Sequence, residues 1–285
     1  MFQNILVPIS SEFYSKDVIK RSILLAGTFS GTVHLLYIIE EKPLDEMERH
    51  TDTHLTHYNR TETQQDVLNQ QRQTADDLIF QDAQQRLHKK NINMETTIIQ
   101  GEFSTVVTNE IDKNQYDLVI MGYERGSMID YRLINDLDIP VWIEAGGYHE
   151  SILAVCSNLA PNQKVPEISL NLAKKLDWEL QMIYITDMED NVKVDENGNR
   201  SSPKPLHELI FSRQEFIENM QEKGIHVKTV EGSLQRESIK AARKMKAGLV
   251  IIGREQKKRG RLGLPIRKVK QKIADRSKYS LLFIN

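Results

Sequence analysis

The chain has 285 residues, 39% of them hydrophobic and 27% charged, with a formal net charge of −2. This suits two domains, each able to bury its own core, and the near-neutral balance gives no global field to attract nucleic acid or an anionic membrane. No apolar run approaches the roughly 18 residues a spanning helix needs, no signal-like leader precedes the first strand, and the lone cysteine, Cys156, cannot close an internal disulfide. The expected compartment is a reducing cytoplasm.

Residues 4–9 form a short, β-branched apolar run bounded by Ser10 and Ser11, predicted as a buried parallel strand. A helix follows over 15–29, with Val18, Ile19, Ser22, Ile23, Leu25 and Ala26 as its apolar stripe. Residues 32–39 are the next strand, and 40–62 are polar and irregular. A long helix is predicted over 66–89, its inner face built from Val67, Leu68, Ala75, Leu78, Ile79, Ala83 and Leu87. Strand 94–99, helix 103–113, strand 117–121 and strand 140–143 complete the first half. The second half predicts strands near 151–156, 179–185, 226–230, 248–252 and 280–284, and helices near 164–176, 204–223, 234–245 and 265–276. Residues 190–205, with Asn197-Gly198-Asn199 and Ser201-Ser202-Pro203, read as a mobile loop. Gly146-Gly147 reads as the hinge between halves. Strand–helix alternation of this kind predicts an α/β fold with parallel sheets and helices on both faces.

The second half repeats the first. Ile5-Leu6-Val7-Pro8-Ile9-Ser10 is answered by Ile152-Leu153-Ala154-Val155-Cys156-Ser157, and the register holds without a gap through His34–Ile38 and Gln181–Ile185. The spacing from Gly101 to Gly122 equals that from Gly232 to Gly253. Two copies of one α/β unit, divided as residues 1–147 and 148–285, account for this better than one large domain.

Each copy resembles a universal stress protein domain. The carriers in the first copy are ILVP, GTVHLLYIIE, the Gly101 turn and YDLVIMG; in the second they are ILAV, ELQMIYITD, VEGS and AGLVIIG. The resemblance covers nearly the whole chain. It implies two Rossmann-like, open parallel five-stranded sheets of order 3-2-1-4-5, similar to the adenine-nucleotide α-hydrolase fold, packed as a pseudo-dimer. In that family the last strand commonly pairs across the dimer, which makes residues 140–143 and 281–284 the expected counterparts; both would be liabilities as bare edges. The resemblance also implies ATP at the carboxyl ends of the strands, where strand order switches.

The nucleotide-binding branch of the family carries an Asp after its first strand and a G-x2-G-x9-G-[ST] loop after its fourth. Such glycines let backbone N–H groups approach phosphate at a helix N-terminus. The first copy departs from this. Ser10 replaces the Asp, Glu124 would oppose a phosphate, and the stretch from Gly122 to Pro140 is much shorter than its counterpart from Gly253 to Ser280. In the second copy Ser157 replaces the Asp, while the loop from Gly253 keeps its length without the family spacing. Its candidate nucleotide or anion contacts are Ser157, Gly253, Arg254, Lys257, Lys258, Gly260, Gly263 and Lys268, whose cations could hold phosphate as point charges or forks. A solvated basic loop is the competing reading, with Pro265 opening the helix that follows.

His50, His54 and His57 would share one helical face and could chelate zinc or nickel, though they fall within an insertion relative to the second copy. An exposed polar insertion with incidental histidines is the simpler account. No G-x-S-x-G elbow, Walker loop or G-x-G-x-x-G follows a strand, and Cys156 reads as core, so nothing supports a named catalyst. The basic run 254–272 lacks interleaved aromatic residues, which argues against nucleic acid. The sequence therefore points to a cytoplasmic, non-catalytic stress-response module with degenerate nucleotide sites, no resident cofactor and an unidentified protein partner, able to form a homodimer. The alternatives are an ATP or AMP sensor, or weak ATPase, through the second domain, and a metal site at His50, His54 and His57.

Overall fold

Residues 1–10, 13–39, 67, 70, 73–74, 77–78, 81–122, 133, 137–146, 149–254 and 279–284 are described by the computed structural model. They fall into two units, Met1–Leu133 and Ile134–Asn285. The irregular segment expected over 40–62 and the helix expected over 265–276 lie outside the described residues.

In the first unit, β1 (Asn4–Ile9), α1 (Lys16–Phe29), β2 (Thr32–Ile39), α2 (Gln81–His88), β3 (Asn93–Gln100), α3 (Phe103–Lys113) and β4 (Leu118–Gly122) follow in turn. The strands lie in the order β3-β2-β1-β4, all parallel. Parallel strands covered by helices need apolar residues on both faces, which is why β1 reads as a nearly unbroken apolar run. Ser15 caps α1 by accepting from the Asp17 amide, and Ser30 ends it in the left-handed conformation. Of the helix predicted over 66–89, α2 and scattered helical positions before it are described. Leu78, assigned to its inner face, is instead exposed; the wider π-type winding at Asp77 and Leu78 shifts the phase on which that assignment depended.

The second unit holds β5 (Val141–Glu144), β6 (Ser151–Ser157), α4 (Lys164–Leu176), β7 (Glu179–Thr186), α5 (Leu206–Glu222), β8 (Val227–Glu231), α6 (Leu234–Met245), β9 (Leu249–Gly253) and β10 (Ser280–Ile284). Strand order is β5-β10-β9-β6-β7-β8. The run from β10 to β8 is parallel and follows the order 5-4-1-2-3 within this copy. β5 is antiparallel to β10, with Leu281 opposite Ile143, Leu282 opposite Trp142 and Phe283 opposite Val141. The two apolar strands expected to be counterparts thus cover each other. The expected division falls after residue 147, but packing groups β5 with the second unit because β10 is its partner there. Glu144, buried beside this pair, accepts from Trp142 Nε1 at 3.0 Å, Ser280 Oγ at 2.9 Å and the Gly146 amide at 3.0 Å. Gly146, half of the expected hinge, has φ +74°; Gly147 lies outside the described residues.

The repeat persists in detail. Gly101 and Gly232 have φ +154° and +145°, and each donates its amide to the last residue of a strand: Gly101 to the Ile39 carbonyl of β2 and Gly232 to the Thr186 carbonyl of β7, both at 3.1 Å. Both conformations favour glycine. Cys156 is fully buried and apolar surroundings push its thiol pKa up, as expected of a core cysteine.

Candidate functional site

Strand order switches between β6 and β9, and their carboxyl ends are where open parallel sheets bind ligands. Ser157 closes β6 and is fully buried. Its amide donates to Asn162 Oδ1 at 3.0 Å, its hydroxyl accepts from the Leu159 amide at 3.1 Å, and its carbonyl accepts from Asn162 Nδ2 at 3.0 Å. Serine and asparagine side chains that bond nearby backbone groups make tight turns, and here they fold residues 157–162 down onto the strand ends.

Gly253 closes β9 beneath that turn. A Cβ at this position would collide with the Pro161 carbonyl oxygen. The glycine is thus demanded by close backbone approach, whether or not a phosphate is ever present. Arg254 follows, and its side chain is 2% exposed. Its amide bonds the Ile284 carbonyl, and its Nη2 donates to the carbonyls of Leu137 and, at 2.9 Å, Ile139. A guanidinium suits this task because its forked donors can satisfy two carbonyls at once. Ser157, Gly253 and Arg254 are brought together at one edge of the sheet, each engaged by the chain itself. Lys257, Lys258, Gly260, Gly263 and Lys268 lie outside the described residues, as do His50, His54 and His57. Among the described residues, no group of three or more His, Cys, Asp or Glu side chains could hold a metal ion.

Two residues at this edge were not singled out in the sequence. Asn158, 2% exposed, donates Nδ2 to the carbonyls of Asp190 at 3.2 Å and Val192 at 2.7 Å, while its Oδ1 accepts from the Asp187 amide at 2.7 Å. Asp187, also buried, accepts from the amides of Glu189 at 2.8 Å and Asp190 at 2.9 Å through Oδ1, and from Leu234 at 2.6 Å through Oδ2. It thereby caps α6, whose own N-cap Ser233 makes no side-chain cap bond. The available signal was an Asn or Asp directly after each strand, the positions where such side chains organise turns.

Burial raises the Asp187 carboxyl above its ordinary 3.8, and the bonds from Leu234 and Asp190 only partly oppose it. A folded-state value above the unfolded one means that folding favours the protonated acid. Its stabilisation is complete below pH 3.8 and is lost as pH rises through the raised value. Melting temperatures of the wild type and Asp187→Asn across pH 4 to 7 test this: the wild type loses ground to the variant as pH rises, and a pH-independent difference would contradict the assignment.

In the first unit, Ser10 is likewise buried and accepts from the Phe13 amide. Gly122 ends β4 where an added Cβ would crowd Ser15 and Val18 at the start of α1. Residues 123–132, with Glu124, lie outside the described residues. A separate half-buried cluster joins His34 to the Tyr116 hydroxyl and to Thr97 Oγ1 at 2.8 Å, and Tyr116 donates to Glu110 Oε1 at 3.0 Å. Burial and the Glu110 carboxylate hold the phenol well above its usual range. His34 is the third residue of β2, so this cluster belongs to the opposite, amino half of the strands.

Open parallel sheets with turns and glycines gathered at the carboxyl edge define a Rossmann-like α/β protein. Residues 1–139, just under half of the chain, match the model of the universal stress protein family. Its fold is similar to that of a universal stress protein from Archaeoglobus fulgidus DSM 4304, with 14% identity, a TM-score of 0.64, and coverage of 100% of this chain and 97% of that one. It is similar also to a protein of unknown function from Pseudomonas aeruginosa PAO1, with 16% identity, a TM-score of 0.68, and coverage of 99% and 92%. No curated protein matches the chain. None of the described helices is long and apolar enough to cross a membrane.

Proposed function

We propose that the chain is a non-catalytic universal stress protein, acting in the cytoplasm as a binding or regulatory module with degenerate nucleotide sites. The observation that carries this reading is the engagement of Ser157, Gly253 and Arg254 by the chain's own backbone. A nucleotide at this edge would need those groups, or the space above them, and the Pro161 carbonyl already rests on Gly253. The serine that stands where nucleotide-binding members carry an Asp is buried in a turn, so it offers no acceptor to a ribose.

Native mass spectrometry of the freshly purified chain, followed by denaturation, tests the reading. The expected result is a bare mass and no melting shift with millimolar ATP, ADP or AMP. A ligand bound by the native state would raise stability by RT ln(1 + [L]/Kd), about 2.7 kcal/mol at a hundredfold excess over Kd. A co-purifying nucleotide, or such a shift abolished by substituting Lys257, Lys258 and Arg259, would instead establish the ATP or AMP sensor. The full-length basic loop of the second domain supports that alternative.

A further inference from the structure

We propose that residues 190–205 are a strap latched across the carboxyl ends of β6 and β7 by Asn158, a built-in cover that must be released before any ligand can reach this edge of the second domain. The proposal rests on the reading above that the edge is engaged by its own chain. The segment read from the sequence as a mobile loop is hydrogen-bonded to Asn158. Asn158 holds the strap at three points: its Nδ2 donates to the carbonyls of Asp190 and Val192, and its backbone carbonyl accepts from the Val194 amide at 2.8 Å. Through Oδ1 it also fixes the end of β7. One residue therefore ties β6, β7 and the strap together.

Most of the strap's other bonds are internal to it. Val194 and Arg200 form an antiparallel bridge, and the Ser201 amide donates to the Lys193 carbonyl at 2.8 Å. Asp195 organises the tip, accepting from the amides of Asn197 and Asn199 at 2.9 and 2.8 Å. At the base, Arg200 pairs with Asp190, and the Lys204 amide donates to the Asn191 carbonyl at 2.7 Å. Lys193 Nζ reaches Ser212 Oγ of α5 at 3.1 Å. Val194 is buried, at 5% exposure. A preformed hairpin can detach as a unit, because its internal bonds need not break and what is lost is the Asn158 latch, the contacts to Asp187 and Ser212 and the burial of Val194. Local openings of this kind are drawn from the low-stability end of a structure.

Hydrogen exchange of the full-length chain, resolved by mass spectrometry, tests the latch in Asn158→Ala and Asn158→Asp. The aspartate keeps the size and the acceptor for the Asp187 amide but cannot donate to the two carbonyls, so it probes the latch even if the alanine variant misfolds. Both variants should exchange at least about tenfold faster at Val194, whose amide bonds outside the strap, with Ser201, bonded within it, and the central peptides of β6 and β7 unchanged. Unchanged exchange across the strap in the folded variants would overturn the proposal, as would uniform acceleration of the whole unit. Millimolar ATP added to the same samples separates the two readings. A released strap with no response to ATP supports both the latch and degenerate sites. A released strap that gains ATP binding supports the latch while overturning the degenerate-site reading.

Discussion

Replacing Arg254 by alanine lowers the stability of the second unit by about 2–4 kcal/mol, from one buried and one half-buried carbonyl that lose its guanidinium and the volume vacated by the side chain. The melting transition of that unit falls by on the order of 10 °C. The reason is the position of the guanidinium. It is almost wholly withdrawn from water and bonds the carbonyls of Leu137 and Ile139, which lead into β5, while the Arg254 amide bonds the end of β10. One residue therefore secures the segment entering β5 and the end of the strand with which β5 pairs. Arg254→Met separates the contributions: it keeps most of the stem's volume and loses only the donors, so it should recover part of the alanine deficit. Were Arg254 instead an anion ligand on a solvated loop, both variants would melt like the wild type in the absence of nucleotide. Unfolding followed by a probe in the second unit, with the first unit's transition as internal reference, distinguishes the cases.

The architecture was legible because parallel strands buried on both faces leave an apolar signature that local sequence cannot conceal. The helices over Phe103–Lys113, Lys164–Leu176 and Leu234–Met245 and the strands over Thr32–Ile39 and Ser280–Ile284 follow from periodicity and turn residues alone. Repetition supplied the rest, since Gly101 and Gly232, one in each half of the chain, keep the same unusual backbone by sharing one turn geometry. The candidate site was less legible. A motif assigns residues to a loop but says nothing of what else the loop touches. Gly253 and Arg254 sit where a phosphate loop begins, yet their partners, Pro161, Leu137 and Ile139, come from distant parts of the chain, and no local pattern announces such contacts. The fastening of the strap was not legible for a related reason. Asn-Gly and Ser-Pro mark turns, but whether a turn is loose depends on a distant anchor, and Asn158 is that anchor.

Gly253→Ala is the sharper test of what this edge of the sheet is for. A methyl group at this position would overlap the Pro161 carbonyl oxygen, far inside any contact distance, and the obstructing atom is backbone rather than the end of a pliable side chain. Pro161 cannot simply swing aside. The turn that carries it is buried and fastened by reciprocal bonds between Ser157 and Asn162, and its ring restricts the backbone at that point. Gly253 in turn is fixed by β9, paired with β10 along its length. Overpacking of this kind typically costs about 1–3 kcal/mol where the surroundings can yield, and here both sides are held, so the loss should sit at or beyond the upper end of that range. The expected observation is a variant whose second unit melts well below the wild type, or folds only at reduced temperature, with no nucleotide in the sample. A role confined to admitting phosphate predicts the reverse: an unchanged apo melting temperature and a defect seen only when ligand is added. Enlarging the turn relieves the clash under the packing account alone, because removing the Asn162 anchor lets Pro161 retreat. Asn162→Ala should therefore be less damaging in the Gly253→Ala background than in the wild type, a coupling that a double-mutant cycle measures directly. Strict additivity of the two substitutions would show that the turn and the glycine do not act on each other, and would return Gly253 to the candidates for ligand binding.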